Sequence, residues 1–274
     1  MTPPDERIFV AFDTETTGLS PREAKVVEIA GVRFTESGDE ISRFSTLANP
    51  GDPMSPEVVR IHGIRDEMVR RAPAPEEACR QFAGWLHPED VLIAHNAAFD
   101  VAFIATALTR GAHPCPRNRV VDTLQLSRAL DLPVPNFRLS SLVEHFALPA
   151  TGYHRALGDS LHVMALYQRL TEVMAEEDPP RTRQLMEKAQ VRSFHEMSKT
   201  LNLAPRVAVL PEAIVRGEIV TMRYEPDSGL GPFHRVRPIE LCDIGGAEYL
   251  RAQCMHDGAV KAFRLDRIIG VEEG

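Results

Sequence analysis

The first predicted strand is the feature that most constrains the fold of this chain. Ile8 to Asp13 form a short apolar run that ends in an acid and is followed by threonine, glycine and proline residues. This pattern is typical of a buried strand. Asp13 and Glu15 are two residues apart, so in an extended chain both carboxylates project to the same face. Both could hold one metal ion, although a polar turn that closes the strand explains an isolated pair more simply.

The rest of the first two-thirds of the chain alternates predicted strands with predicted helices. Strands at 25–34 and 41–47, with a turn at 37–39 between them, extend the first strand into an antiparallel meander. The later predicted elements are a helix that begins near Ser55 and Pro56, a helix at 75–86, a strand at 91–94, a helix at 98–110, a strand at 120–122 and a helix at 156–174. This order predicts an α/β fold with a mixed sheet.

Two further segments place an acid at the start of a predicted helix. HNAAFD follows the strand at 91–94 and puts Asp100 in the first turn of the next helix. HRALGD opens the last long helix with His154 and Asp159. Each segment alone is explained by a helix cap and a solvated surface residue. If His154 lies just before the helix, however, both side chains could face one cavity.

Together, DTETTG, HNAAFD and HRALGD resemble the three exonuclease motifs of the DEDDh or DnaQ-like exonuclease family, in the same order. The resemblance covers roughly residues 7–175. It implies a ribonuclease H-like fold, with a mixed five-stranded sheet flanked by helices. Every family position is filled here, which implies four metal-site acids and a histidine general base: Asp13, Glu15, Asp100, Asp159 and His154.

The resemblance implies hydrolysis of phosphodiester bonds with release of nucleoside 5′-monophosphates. Two Mg²⁺ or Mn²⁺ ions, roughly 3.5–4 Å apart, would stabilise the attacking and leaving oxygens. Hard oxygen ligands favour these metals over zinc. Asp13 would bridge the ions, Glu15 and Asp159 would complete one site, and Asp100 would support the other, partly through water. His154 would accept the proton of the nucleophilic water, because an imidazole of ordinary pKa, about 6.5, can do so near neutral pH.

Seven residues are predicted to contact the terminal nucleotide: Thr14, Thr16, Thr17, Gly18, His62, Asn96 and Phe99. The turn that ends at Gly18 would supply backbone amides, because glycine permits a close turn. His62 lies in a segment, IHGI, that resembles the family's loop against the terminal base, although Gly63 as a helix C-cap explains it equally well. Phe99 could stack on a base, but a phenylalanine at the start of an apolar helix more often belongs to the core.

The chain divides into a catalytic domain at 1–175, a partly helical linker at 176–205 and a second domain at 206–274. The linker is predicted from polar flanks around one weak helical stretch. Short β segments then follow at 219–224, 236–241, 248–254 and 262–264. They predict a small β-rich domain.

The second domain resembles a WYL-type domain in IVTMRYEP, RVRPIEL, EYLRAQC and AFRLDRI, which implies an SH3-like barrel. The namesake triplet is Glu248-Tyr249-Leu250, without the tryptophan. Two interpretations stay open. An aromatic and basic set could bind nucleic acid, namely Tyr224, Arg251, Arg264 and Arg267. Alternatively, the arginines of a structural barrel pair with acids, namely Glu240, Glu248 and Asp266.

Charge and composition limit the classes of partner and compartment. A formal net charge of −8 argues against tight nonspecific binding to duplex nucleic acid, but metal-dependent nucleases concentrate carboxylates at their site. The first residues do not resemble a signal peptide, and no apolar stretch approaches the roughly 20 residues that span a bilayer. A cytoplasmic protein without a membrane partner is expected. The four scattered cysteines predict reduced thiols.

The sequence therefore predicts a metal-dependent 3′-to-5′ exonuclease that acts on nucleic acid with a free 3′ end. A single strand is expected as substrate, with DNA slightly preferred over RNA. A polymerase or repair partner is compatible with the motifs, but no residue identifies one. The alternative is a ligand-responsive nucleic-acid-binding regulator, in which the WYL-like domain senses a ligand and the exonuclease fold only binds ends.

Overall fold

The computed structural model divides into two compact units, Met1–Ser198 and Lys199–Gly274. Each unit has a sheet and an apolar core of its own. The residues that the structure describes are 7–21, 23–149, 154–177, 179–189, 192–195, 205–207, 209–210, 213–214, 217–225, 233–244 and 247–273.

The first unit is built on a mixed sheet in the order β3-β2-β1-β4-β5-β6. Its strands are β1 (Ile8–Thr16), β2 (Val26–Thr35), β3 (Glu40–Leu47), β4 (Val91–Ala94), β5 (Arg119–Asp122) and β6 (Arg192–Ser193). The first three strands form the predicted antiparallel meander, and β4 and β5 continue from β1 in parallel. The predicted five-stranded mixed sheet is confirmed. The two-residue β6 adds an antiparallel edge that was not predicted.

Helices cover this sheet. They are α1 (Pro56–His62), α2 (Asp66–Val69), α3 (Pro75–Trp85), α4 (Ala97–Arg110), α5 (Thr123–Ala129), α6 (Leu139–His145), α7 (Ala156–Ala175) and α8 (Pro179–Lys188). The predicted start of α1 is confirmed, because the Ser55 hydroxyl accepts a hydrogen bond from the Val58 amide (3.4 Å). The short helices α2, α5 and α6 were not predicted, since four to seven residues carry little periodicity. No helix in the described part of the chain combines the length and apolar character needed to cross a bilayer.

The two faces of β1 pack against different helices. Phe12 lies 5.8 Å, ring to ring, from Phe82 of α3, and Phe9 lies 5.2 Å from Tyr167 of α7. Gly31 of β2 allows α3 to approach, since a Cβ there would lie 3.0 Å from Trp85. Because side chains alternate along a strand, the odd-numbered positions of β1, including both predicted metal ligands, face α7.

The first unit continues beyond the predicted boundary at residue 175. Leu185 and Ala189, four residues apart, are buried with Leu126 and Leu170, so α8 packs against α5 and α7. β6 then pairs with β5. Part of the predicted linker at 176–205 is therefore packed against the first unit, and residues 196–204 lie outside the described residues.

The second unit is a five-stranded antiparallel sheet in the order β10-β9-β8-β7-β11. Its strands are β7 (Val220–Tyr224), β8 (Phe233–Ile244), β9 (Ala247–Cys254), β10 (Val260–Arg264) and β11 (Ile268–Glu273). The four predicted strands and the β-rich class are confirmed. β11 was not predicted. It begins directly after a 3-10 turn at Leu265–Arg267, and a register shift between Ile268 and Gly270 interrupts its alternation.

Candidate active site

Three of the four predicted metal-site acids lie together at the end of β1. Asp13, Glu15 and Asp159 each offer one carboxylate oxygen, and these oxygens lie within 4.8 Å of one another. The first two come from the α7 face of β1, and the third comes from the first turn of α7 itself. Packing of one helix against one strand therefore assembles the cluster.

The electrostatics of this cluster are unfavourable without a cation. Burial and then the charges of Asp100, Glu15 and Asp159 raise the pKa of Asp13 well above its usual range. Burial, followed by the charge of Asp159, raises the pKa of Glu15 to about 8. Converging carboxylates that resist ionisation are the environment that a divalent ion relieves, and hard oxygen donors suit Mg²⁺ or Mn²⁺. The residues therefore fit the implied metals.

Asp159 is oriented by hydrogen bonds to both of its oxygens. The backbone amide of His154 donates to Oδ2 (3.0 Å), and His162 Nδ1 donates to Oδ1 (3.2 Å). His154 is exposed and lies just before α7, as predicted, in a left-handed conformation with φ of 60°. The sequence interpretation missed His162. Its spacing of three residues from Asp159 on one helix was the available signal.

Asp100 stands slightly apart from the other acids. It is buried in the first turn of α4, and its Oδ1 accepts hydrogen bonds from the Thr14 amide (2.9 Å) and the Thr14 hydroxyl (2.7 Å). Burial raises the pKa of Asp100 to about 7 against the lowering effect of these donors. Its charge is the largest electrostatic contribution to the raised pKa of Asp13. Thr14, predicted to bind substrate, therefore has its hydroxyl committed to a carboxylate, and support of a second metal by Asp100 stays a prediction.

The turn after β1 is stabilised by its own hydroxyl groups. Thr16 Oγ1 donates to the Gly18 carbonyl (2.6 Å), and Thr17 Oγ1 accepts from the Lys25 amide (2.9 Å). A Cβ at Gly18 would lie 3.3 Å from Ala24, so close approach rather than a positive φ favours glycine. Nucleotide binding by these residues stays a prediction.

His95, the first residue of HNAAFD, has a structural position. Its Nε2 donates to the Phe137 carbonyl (2.8 Å), which leaves Nδ1 to accept from the Thr123 hydroxyl (2.9 Å). Burial lowers the pKa of His95 to about 4, so the ring is neutral near pH 7. It ties the end of β4 to the elements that follow β5.

Asn96 and Phe99 lie near Asp100 at the start of α4. Asn96 has a φ of 65°, a conformation that asparagine tolerates, and its amide donates to Asp122 Oδ1 (3.0 Å). Phe99 is partly exposed, and its ring lies 4.9 Å from that of Phe103. Their predicted contacts with a nucleotide stay predictions.

His62 ends α1 and is 3% exposed. Its Nδ1 accepts from the Ile64 amide (3.0 Å), and its Nε2 has no hydrogen-bond partner among the described residues. Burial is the main cause that lowers the pKa of His62. Gly63 has a φ of 70° and caps the helix, so the C-cap explanation of the glycine is confirmed. The contact of His62 with a base stays a prediction.

The second unit contains two of the ion pairs expected for a structural barrel. Arg251 pairs with Glu240, and Arg264 Nη2 lies 2.6 Å from Asp266 Oδ2. The Tyr224 ring packs edge-on against Phe263 at 5.3 Å. The side chain of Glu248 lies outside the described residues. These contacts account for part of the predicted aromatic and basic set.

Family models and curated proteins match the part of the chain that contains this site. The family model described as RNase_T, Exonuclease, matches residues 10–167, and the model described as WYL domain matches residues 205–273. The DNA polymerase III PolC-type proteins of Oceanobacillus iheyensis and Bacillus subtilis are 36% and 35% identical to this chain over 173 residues. Each alignment covers 63% of this chain but only 12% of the polymerase.

Solved structures extend the likeness to the fold. Exonuclease X, in complex with 5′ overhanging duplex DNA, has a TM-score of 0.51 and 26% identity, covering 66% of this chain and 99% of that one. E. coli Exonuclease I, in complex with a dA16 oligonucleotide, has a TM-score of 0.56 and 17% identity, covering 90% of this chain and 55% of that one. The ribonuclease H-like fold and both predicted resemblances are confirmed. The chain belongs to the RNase_T exonuclease family and carries a C-terminal WYL domain.

Proposed function

We propose that this protein is a 3′-to-5′ exonuclease that depends on a divalent metal. The observation that carries the proposal is the convergence of Asp13, Glu15 and Asp159 within 4.8 Å, in a chain that matches the exonuclease family over residues 10–167. The raised pKa values of Asp13 and Glu15 support it, because unrelieved repulsion between carboxylates marks a cation site.

The proposed mechanism assigns a role to each group. Asp13, Glu15 and Asp159 would hold Mg²⁺ or Mn²⁺, and Asp100, close to Asp13, would support a second ion. Bound divalent ions supply a nucleophilic water and stabilise the leaving 3′ oxygen. His154 would accept the proton of the nucleophilic water, since it is exposed and its backbone amide is hydrogen-bonded to Asp159 of the cluster.

DNA with a single-stranded 3′ end is the proposed substrate. The two curated relatives named above are DNA polymerase III PolC-type proteins, and Exonuclease X was solved with DNA. Because the matched segment lies within a much longer polymerase chain in those relatives, we propose a polymerase or a repair enzyme as the partner here. Nucleoside 5′-monophosphates are the expected products.

The decisive experiment is cleavage of 3′-labelled and 5′-labelled single-stranded DNA and RNA with Mg²⁺, Mn²⁺ or EDTA. Stepwise shortening from the 3′ end, with the metal and with DNA favoured, is expected. The His154→Ala protein should cleave about 10²- to 10⁴-fold more slowly, because a general base is removed. It should still bind Mn²⁺, since its carboxylates are intact.

The regulator alternative predicts a different outcome of the same assay. Persistent binding of 3′ ends without cleavage, under every metal condition, would reject the exonuclease proposal. It would favour a nucleic-acid-binding regulator that uses the WYL domain. Cleavage that is unchanged in His154→Ala would leave the enzyme in place but remove His154 as the base.

A further inference from the structure

Glu28 is a buried acid that has no role in the proposed mechanism. It lies next to the acidic cluster of Asp13, Glu15 and Asp159. It lies in β2 directly opposite Glu15 of β1 in the antiparallel register. Residues opposite each other in such a pair project to the same face of the sheet, here the α7 face. Glu28 is 2% exposed, and a buried carboxylate needs partners.

The partners of Glu28 all come from the segment that opens α7. Arg155 Nε donates to Oε2 (3.0 Å), and Arg155 Nη2 donates to Oε1 (2.6 Å), which is a two-pronged ion pair. The Ala156 amide also donates to Oε2 (3.0 Å). Glu28 therefore accepts three hydrogen bonds from two consecutive residues that lie 127 and 128 positions away in the chain.

These bonds replace the local cap of α7. Arg155 is the N-cap residue, and its own side chain makes no capping hydrogen bond. Ala156 is buried at the first helical position, where the amide has no partner within the helix, and Glu28 of β2 accepts its hydrogen bond. Both the residue before this contact, His154, and the acid in the first helical turn, Asp159, are therefore held relative to β2.

We propose that Glu28, acting through Arg155 and Ala156, is a positioning residue that aligns His154 and Asp159 with Asp13 and Glu15. Glu28 does not touch the substrate in this role. The inference rests on the proposed exonuclease function, because it concerns the geometry of the same site. The reason for an effect on rate is that reacting groups displaced by about 1 Å can lose about 10²-fold in rate.

The competing explanation is an ion pair that stabilises the fold and nothing more. The second unit offers a matched control. Glu240 of β8 is a strand glutamate paired with a half-exposed arginine, Arg251, and the exposed fractions of their side chains are 8% and 48%. The corresponding fractions for Glu28 and Arg155 are 3% and 43%. Glu240→Gln therefore removes a similar pair outside the catalytic unit.

The first test compares steady-state cleavage of a single-stranded DNA by the full-length wild type, Glu28→Gln, Arg155→Lys and Glu240→Gln proteins. Glu28→Gln removes the charge, and Arg155→Lys keeps the charge but loses the two-pronged geometry. Both should lower kcat by about 10- to 100-fold with KM changed less than about threefold. Glu240→Gln should keep kcat within about twofold. Equal kcat values in the Glu28→Gln, Arg155→Lys and wild-type proteins would overturn the proposal.

The second test is a double-mutant cycle with His154→Ala. If Glu28 acts by positioning His154 and Asp159, adding Glu28→Gln to His154→Ala should slow single-turnover cleavage by less than it slows the wild type. If the rate loss of the double variant equals the product of the two single-variant losses, Glu28 acts independently of His154, which contradicts the proposal. A loss caused only by poorer folding would multiply in this way.

The third test does not depend on activity. Amide hydrogen exchange at His154 and Ala156 should accelerate by about tenfold or more in Glu28→Gln and stay at the wild-type rate in Glu240→Gln. Unchanged exchange in Glu28→Gln would overturn the positioning role even if kcat fell. A wild-type protein that cleaves nothing would instead reject the proposed function, and the positioning role would fall with it.

Discussion

Two groups of acids in the first unit differ in how their charges are compensated. Asp122 accepts hydrogen bonds from the amides of Asn96 (3.0 Å), Ala97 (3.2 Å) and Leu124 (2.9 Å). Glu15, in the acidic cluster with Asp13 and Asp159, faces other carboxylates instead. Burial raises the pKa of both, but backbone donors hold the pKa of Asp122 to about 6, whereas neighbouring charges help raise that of Glu15 to about 8.

The difference separates acids that stabilise the fold through hydrogen bonds and ion pairs from acids that repel one another and are expected to bind a cation. Asp90 also belongs to the compensated group, since it pairs with Arg33 and accepts from the His87 amide (2.7 Å). Asp90 and Asp122, which lie outside the metal-site acids and their proposed positioning contacts, should matter for stability and little for chemistry. The uncompensated cluster should show the reverse, because its repulsion destabilises the metal-free protein and is relieved by a bound cation.

The largest expected effect comes from Asp13→Asn. Loss of a metal ligand should lower cleavage by about 10³-fold or more, since bound metal contributes several kcal/mol to the transition state. The metal-free variant should nevertheless unfold at a higher temperature than the metal-free wild type, because one repelling charge is gone. Thermal unfolding with EDTA and cleavage with Mg²⁺ measure the two effects. A variant that is both inactive and less stable would place Asp13 among the structural acids.

The pH dependence of stability should distinguish the two groups next. In the folded protein the pKa of Glu15 is about 8, above its unfolded value of about 4.3. The folded state therefore binds this proton more tightly than the unfolded state does. The resulting stabilisation is fully present below the unfolded pKa and is lost as pH rises through 8. In EDTA, the free energy of unfolding should fall between pH 5 and 8, by on the order of 1 kcal/mol per pH unit.

Chemical denaturation at several pH values measures this slope. The Glu15→Gln protein is the control and should show a flatter profile, because glutamine does not titrate. Mg²⁺ should add more stability at pH 8 than at pH 6, since protons compete with the ion for the carboxylates. Stability of the metal-free wild type that rises with pH would contradict the interpretation of the cluster.

The smallest expected effect belongs to Asp122→Asn. Asparagine cannot accept from all three amides in the same geometry, so the protein should lose about 1–3 kcal/mol of unfolding free energy. Cleavage per folded molecule should stay within about threefold of the wild type, since Asp122 is a cap rather than a metal ligand. Urea denaturation and kcat at 15 °C provide the measurements. A loss of activity without a loss of stability would move Asp122 into the catalytic group.

Much of the fold followed from local pattern. The bounds of β4 at 91–94, the cap at Ser55 and the long helix from Ala156 were predicted because each depends on a few adjacent residues. Weak local signals explain the misses. The two residues of β6 become a strand only because β5 offers an edge, and α8 packs on the first unit through apolar residues in a polar segment.

The candidate site divides in the same way. The three motifs identified Asp13, Glu15, Asp100, Asp159 and His154, since residue type and order are visible along the chain. The supporting contacts were not visible. Thr14 donates to an acid 86 positions away, and Arg155 pairs with a glutamate 127 positions away. A strand glutamate such as Glu28 resembles any other until its partner is known.

The sequence by itself determined which groups are available for chemistry, the order of the longer strands and helices, and the presence of two domains. Only the tertiary structure decided which acids are neutralised by donors and which repel one another, because that depends on distances between elements remote in sequence. Alternation along β1 directs Asp13 and Glu15 toward α7, but packing of α7 brings Asp159 within 4.8 Å of them. Electrostatic energies depend on such separations and on burial, and neither quantity can be obtained from the order of residues alone.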